Sequence, residues 1–148
     1  MILLLGTKNI ATQTVATGGL INLGQTYRRY CKKNSCGIRT FDFTGNAITL
    51  NQQGIYHVTA TLVGSGDEAG VVTIQLLENG VAVDGAISSE TITTPTTELR
   101  TFVIDYYILA DADCILGNYS TLARSISFTN TGVDATFTNV IVNVDKVV

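Results

Sequence analysis

The chain has 148 residues, 45% of them apolar and 14% charged, with a formal net charge of −3. That is one domain with a sizeable core, too apolar for disorder and without the run of about 18 apolar residues that a membrane span needs. Its acidity, with pI ≈ 4.9, excludes the basic class of nucleic-acid binders, and its charge lies well below the roughly 25% of ordinary domains.

The 22 Thr, 14 Val and 14 Ile make 50 β-branched residues, whereas there are only four Lys and four Glu. Branched side chains lose rotamer freedom in helices and fit a pleated surface. The chain is therefore expected to be all-β. Met1–Leu5 is apolar but short, with no basic region or cleavage site, so no signal peptide is read there. Synthesis in a reducing cytoplasm is expected.

Residues 1–17 show no clear period and read as an N-terminal arm ahead of a domain on 18–148. Ile21 with Leu23, Phe41 with Phe43, and Ile48 with Leu50 suggest short strands. From Ile55 to Val63 the alternation is clean: Tyr56, Val58, Ala60 and Leu62 face one way, His57, Thr59 and Thr61 the other. A Gly-rich loop is expected at Gly64–Gly70, then a strand through Val72, Ile74 and Leu76. Asn79-Gly80, between apolar flanks, is the pattern of a two-residue hairpin turn.

A polar strand at Ala86–Thr94 leads into a loop around Pro95. Phe102, Ile104, Tyr106 and Ile108 alternate with Thr101, Val103, Asp105 and Tyr107. Asp111–Asp113 reads as a turn, Cys114–Tyr119 as a short strand, and Ser125–Thr129 as another before the Asn130-Thr131-Gly132 turn. In the last segment Ala135 and Phe137 are odd-numbered but Val140, Val142 and Val144 even-numbered, which predicts a β-bulge near Thr138-Asn139. Eight to ten strands, with turns about every ten residues, predict a single antiparallel jelly-roll sandwich.

Three stretches carry a family resemblance. Asn46–Leu50 followed by Gly54-Ile55-Tyr56-His57-Val58, then Ile74-Gln75-Leu76 through Asn79-Gly80, then Ile126–Asn130 through Val140 to Val148 together resemble the C1q/TNF-like jelly rolls of small phage and bacterial proteins. The resemblance spans residues 41–148. It implies a homotrimer built through one face of the sandwich, in a family of receptor-binding heads, stalk tips and virion surface proteins. With no collagen-like or coiled-coil segment, the chain looks most like a phage capsid decoration or head-fibre protein. Its expected partners are the major capsid protein or other virion proteins, and its expected place is the capsid surface after synthesis in the bacterial host.

Composition points to assembly independently. Val103 and Tyr107 lie opposite Phe102 and Tyr106, and Val71 and Leu77 opposite Val72 and Leu76. Strands apolar on both faces are covered on both sides, so Val103, Tyr107, Val71 and Leu77 are the candidate trimer interface. Arg28, Arg29, Lys32, Lys33 and Arg39 hold five of the nine basic residues in one segment. They are the candidate partner contact, anchoring the protein to the head together with the arm. Tyr27 and Tyr30 interleave with them, a pattern that also suits stacking on bases, but the acidic whole argues for a protein partner.

Catalytic material is thin. His57, the one histidine, falls on a Thr-rich strand face with no G-x-S-x-G motif to partner it, so it reads as a surface or interface residue. Cys31, Cys36 and Cys114 make an odd set, short of the four ligands a structural zinc takes, and read as free thiols or one late disulfide. Asp67-Glu68 and Asp111 with Asp113 match no EF-hand loop and read as acidic turns. No enzyme activity, cofactor, metal, nucleic acid or membrane is expected. The alternative function is a receptor- or glycan-binding module using the apical loops at Gly64–Gly70 and Thr93–Thr97.

Overall fold

The computed structural model describes residues 3–30, 40–110 and 124–147. In chain order the strands there are β1 (Leu3–Asn9), β2 (Gln13–Val15), β3 (Gln25–Tyr30), β4 (Phe41–Phe43), β5 (Ile48–Leu50), β6 (Gly54–Gly66), β7 (Gly70–Glu78), β8 (Val81–Ile92), β9 (Arg100–Ala110), β10 (Arg124–Asn130) and β11 (Ala135–Lys146). They form two antiparallel sheets. One runs β3-β1-β11-β6-β9, with β2 also on β11; the other runs β4-β5-β10-β7-β8. The chain crosses between sheets repeatedly from β5 onward, giving the jelly-roll sandwich that the alternation predicts.

The core lies between the sheets and is supplied by every second residue. Tyr56, Val58, Ala60 and Leu62 of β6, Phe102, Ile104 and Ile108 of β9, and Val140, Val142 and Val144 of β11 are buried from one side. Ile48, Leu50, Val72, Ile74, Leu76, Ile126 and Phe128 are buried from the other. Each such large side chain stabilises the fold by about 1.5–3 kcal/mol. Phe102 meets Phe137 edge-on at 6.0 Å, and Phe41 meets Tyr56 likewise at 5.8 Å. The Tyr56 hydroxyl donates to the Gln52 carbonyl at 2.7 Å, and burial pushes its pKa up to about 12.

The β7–β8 hairpin turns on Asn79 (φ 51°) and Gly80 (φ 80°), two successive positive φ values as a type I′ turn requires. The bulge on β11 is where the phase change puts it: the register with β6 slips between Phe137 and Asn139. A second ladder break, between Gln75 and Leu77 on the β7–β8 pair, is filled by a side chain. Gln75 Nε2 donates to the carbonyls of Leu76 at 2.9 Å, Val83 at 2.8 Å and Ala86 at 3.2 Å.

The N-terminal residues correct the expectation of an arm. β1 lies between β3 and β11, with Leu3 opposite Lys146 and Asn9 opposite Val140, and β2 pairs with β11 as well. The period was hidden because the residues carrying it are atypical. Leu5 and Thr7 are both fully buried, so the core face includes a hydroxyl. Gly6, between them, has no side chain to mark the outer face. Two further expectations change. Ile21 and Leu23 are buried but form no named strand; an isolated bridge joins Leu20 to Thr129 instead. The Gly64–Gly70 loop is shorter than expected, because β6 continues through Gly66. The Asp111–Asp113 turn, the 114–119 strand, all three cysteines, and Lys32, Lys33 and Arg39 lie outside the described residues.

Candidate functional site

β9 is an edge strand of the six-stranded sheet, and its outward residues form a stripe that is apolar except for Thr101 and Asp105. Val103 is 53%, Tyr107 60% and Leu109 58% exposed, and Leu99, just before the strand, is 58% exposed. β6 continues the patch inward: Leu109 pairs with Ile55, Tyr107 with His57, Asp105 with Thr59 and Val103 with Thr61. A long exposed apolar edge strand is a pairing site that monomeric proteins avoid.

The middle of this face is organised around His57. Its ring stacks on Tyr107, with centroids 4.7 Å apart and planes 17° apart. Its Nε2 meets the Asp105 carboxylate in a short contact, and Asp145 of β11 is its cross-strand neighbour. His57 thus lies on the exposed sheet face that the alternation gave it, held by an acid and an aromatic ring. Further across the sheet, the Tyr27 hydroxyl donates to Asn143 Oδ1 at 2.5 Å. Among the described residues no group of three or more His, Cys, Asp or Glu side chains is arranged to hold a metal.

The four candidate interface residues are not brought together. Val103 and Tyr107 share the β9 stripe. Val71, 45% exposed, and the half-buried Leu77 lie on the outer face of the other sheet, across the sandwich. Leu99, Ile55 and Leu109 were missed by the sequence reading. Their signal was present: the odd positions from Leu99 to Leu109 continue one face beyond the stretch that was read. Of the basic segment, Arg28 is exposed on β3. Arg29 donates to the Phe41 carbonyl at 2.5 Å and so ties the edge of one sheet to the other.

The two apical loops do converge. Thr96 N–H donates to the Gly66 carbonyl at 2.9 Å. The Glu98 carboxylate accepts from Thr94 N at 2.9 Å, Thr93 N at 2.8 Å and Thr93 Oγ1 at 3.0 Å, and pairs with Arg100. Those hydrogen bonds, led by the backbone N–H of Thr94, lower its pKa to about 2. Thr96 sits at φ 67°, a costly conformation for a β-branched residue. A pocket of about 220 Å³ opens between the loops, lined by Ser65, Asp67, Thr96, Leu99, Thr136 and Thr138.

No family model matches the chain, and no curated protein matches it. Solved structures do. The chain is similar to the Eiger TNF of S. frugiperda, with TM-score 0.64 and 8% identity over 100% of this chain and 92% of that one. It is similar to the globular domain of zebrafish complement 1qA, with TM-score 0.63 and 6% identity over 99% and 98%. It is also similar to the PRD1 vertex protein P5, with TM-score 0.52 and 13% identity over 99% and 97%. These likenesses show the fold: an all-β jelly roll of the C1q/TNF type.

Proposed function

We propose that this chain is a non-enzymatic structural protein of a phage virion surface, a homotrimeric capsid decoration or head-fibre protein whose partners are the major capsid protein or other virion proteins. The observation that carries the reading is the exposed β9 stripe, which a second copy would cover. Covering it removes apolar area from water at about 25 cal/mol per Å², and a closed cyclic contact leaves no stripe free. The jelly-roll likeness to TNF and C1q domains and to the PRD1 vertex protein P5 supports the same reading. Residues 3–9 are built into the sheet and form no free arm for anchoring. The exposed β3 edge carrying Arg28 is the described part of the basic anchor.

Light scattering at micromolar concentration tests assembly: a mass near three times 15.8 kDa is expected, and a clean monomer overturns it. Mass spectrometry of purified particles tests location, with stoichiometric copies on the head expected and absence from particles refuting it. A second reading, a receptor- or glycan-binding module, is favoured by the two converging apical loops, which the bond from Thr96 N–H to the Gly66 carbonyl joins.

A further inference from the structure

Around His57 the outer face of the six-stranded sheet gathers more acid than base. Tyr107 of β9 is opposite His57 on one side, and Asp145 of β11 on the other. Asp105, one step along β9 on the same face, sets its carboxylate against His57 Nε2. The cations of the flanking strands lie in the alternate phase: Arg100 of β9 is opposite Gly64, and Lys146 of β11 is opposite the core residue Tyr56. On β1, Leu4 is opposite Asp145, and Lys8 stands over the Tyr27 ring instead. Two carboxylates therefore share one imidazole.

In the single chain, water tolerates this imbalance, since the Asp105 side chain is 60% exposed and that of His57 28%. A second copy that covers Val103, Tyr107 and Leu109 removes Asp105 from water along with them. A carboxylate stripped of water is costly unless a positive charge pairs with it. Neutral imidazole can donate one N–H but leaves the negative charge standing, whereas imidazolium cancels it. The Tyr107 ring stacked on His57 favours the same form, because an aromatic face attracts a cation.

We infer that His57 takes up a proton when copies of this chain assemble through the β9 face, so that assembly tightens as pH falls through the histidine range. Histidine is the side chain that ordinarily changes charge between about pH 5 and pH 8. A proton held more tightly by the assembly than by the monomer favours the assembly where protons are abundant, by linkage. The stabilising charge on His57 is present below that range and lost above it. This regulation rests on the β9 contact proposed above and adds a control to it.

The test is sedimentation velocity on a dilution series of the intact protein at constant ionic strength, at about pH 5.5, 6.5, 7.5 and 8.5, which brackets the histidine range. The association constant should fall about tenfold or more from the lowest pH to the highest. His57→Gln, which keeps a donor for Asp105 but cannot become charged, should flatten the profile at the weak level. Asp105→Asn removes the charge that the proton answers, so it should keep assembly strong at the highest pH and make the profile shallower. Thermal unfolding at each pH checks that both variants fold. If the wild type assembles equally at every pH, or more tightly as pH rises, the proton linkage fails while the β9 contact stands. If His57→Gln keeps the wild-type profile, the proton binds elsewhere and the linkage fails too. A monomer at every pH overturns both.

Discussion

Tyr27 lies across Gly6, and the contact leaves no room for a methyl group. A Cβ at Gly6 would come within 2.8 Å of both Tyr27 Cε1 and Asn143 Oδ1. Gly6→Ala should therefore cost about 1–3 kcal/mol, as overpacking does, in urea denaturation. The cost should shrink when Tyr27 is also cut to Ala, and an undiminished cost in the double variant would place the strain elsewhere. Glu98 gives a pH prediction. Its pKa falls from 4.5 to about 2 in the folded chain, so its contribution is fully present above the unfolded value. It is lost as pH drops through that window. The stability gap between wild type and Glu98→Gln should close between about pH 4.5 and pH 2, read by thermal unfolding along a pH series. A gap that is constant with pH would sink the assignment. Because the side chain lies at the surface, though only 18% exposed, solvent screens it in part; the gap should be modest, and the clearest effect should be local loosening of residues 93–98 in hydrogen exchange.

At the scale of elements, the β7–β8 ladder depends on one amide. Gln75→Leu removes the donor that serves the Val83 and Ala86 carbonyls, and leaving such acceptors unpaired costs about 1–3 kcal/mol. Urea unfolding of that variant checks it, and a neutral result would mean that water replaces the amide. The same elements show what was legible beforehand. Tyr56 to Leu62, the Asn79-Gly80 turn and the Thr138 bulge all follow from side-chain alternation and turn chemistry, which are local. β1 was illegible because Thr7 and Gly6 break the apolar alternation, and β3 because all six of its residues are exposed. β3 has no buried stripe and that of β1 is only Leu5 and Thr7; each is placed by its pairing partner. The candidate site divides the same way. Val103 and Tyr107 could be read from their strand, whereas only the three-dimensional fold puts Val71 and Leu77 on the opposite face. Asn9 of β1 and Gln13 of β2 meet Asn22 through side-chain amides that no spacing encodes.

For the whole molecule the β9 stripe decides behaviour. Val103→Asp places a second carboxylate beside Asp105 in the proposed contact, one with no His57 to pair it, where a desolvated unpaired charge is strongly unfavourable. It should turn the assembly into monomers of about 15.8 kDa while leaving the monomer folded, since Val103 is already 53% exposed. Val71→Asp, on the far face, separates the two halves of the sequence-based interface. If it also dissociates the assembly, both faces take part; if it does not, the contact is confined to the six-stranded sheet. Sedimentation velocity distinguishes the cases, and an unchanged trimer in Val103→Asp would refute the β9 contact.

The pairing of Leu3 with Lys146 gives the sandwich a pole. The two ends of the described chain emerge side by side, and the apical loops lie beyond the far end of β1, a seven-residue strand about 20 Å long. A reporter domain fused through a short linker to either end should hang from the same side and leave the apical loops unobstructed. The protein would then serve as a display scaffold in which cargo and apical loops are held apart by the length of the sandwich itself.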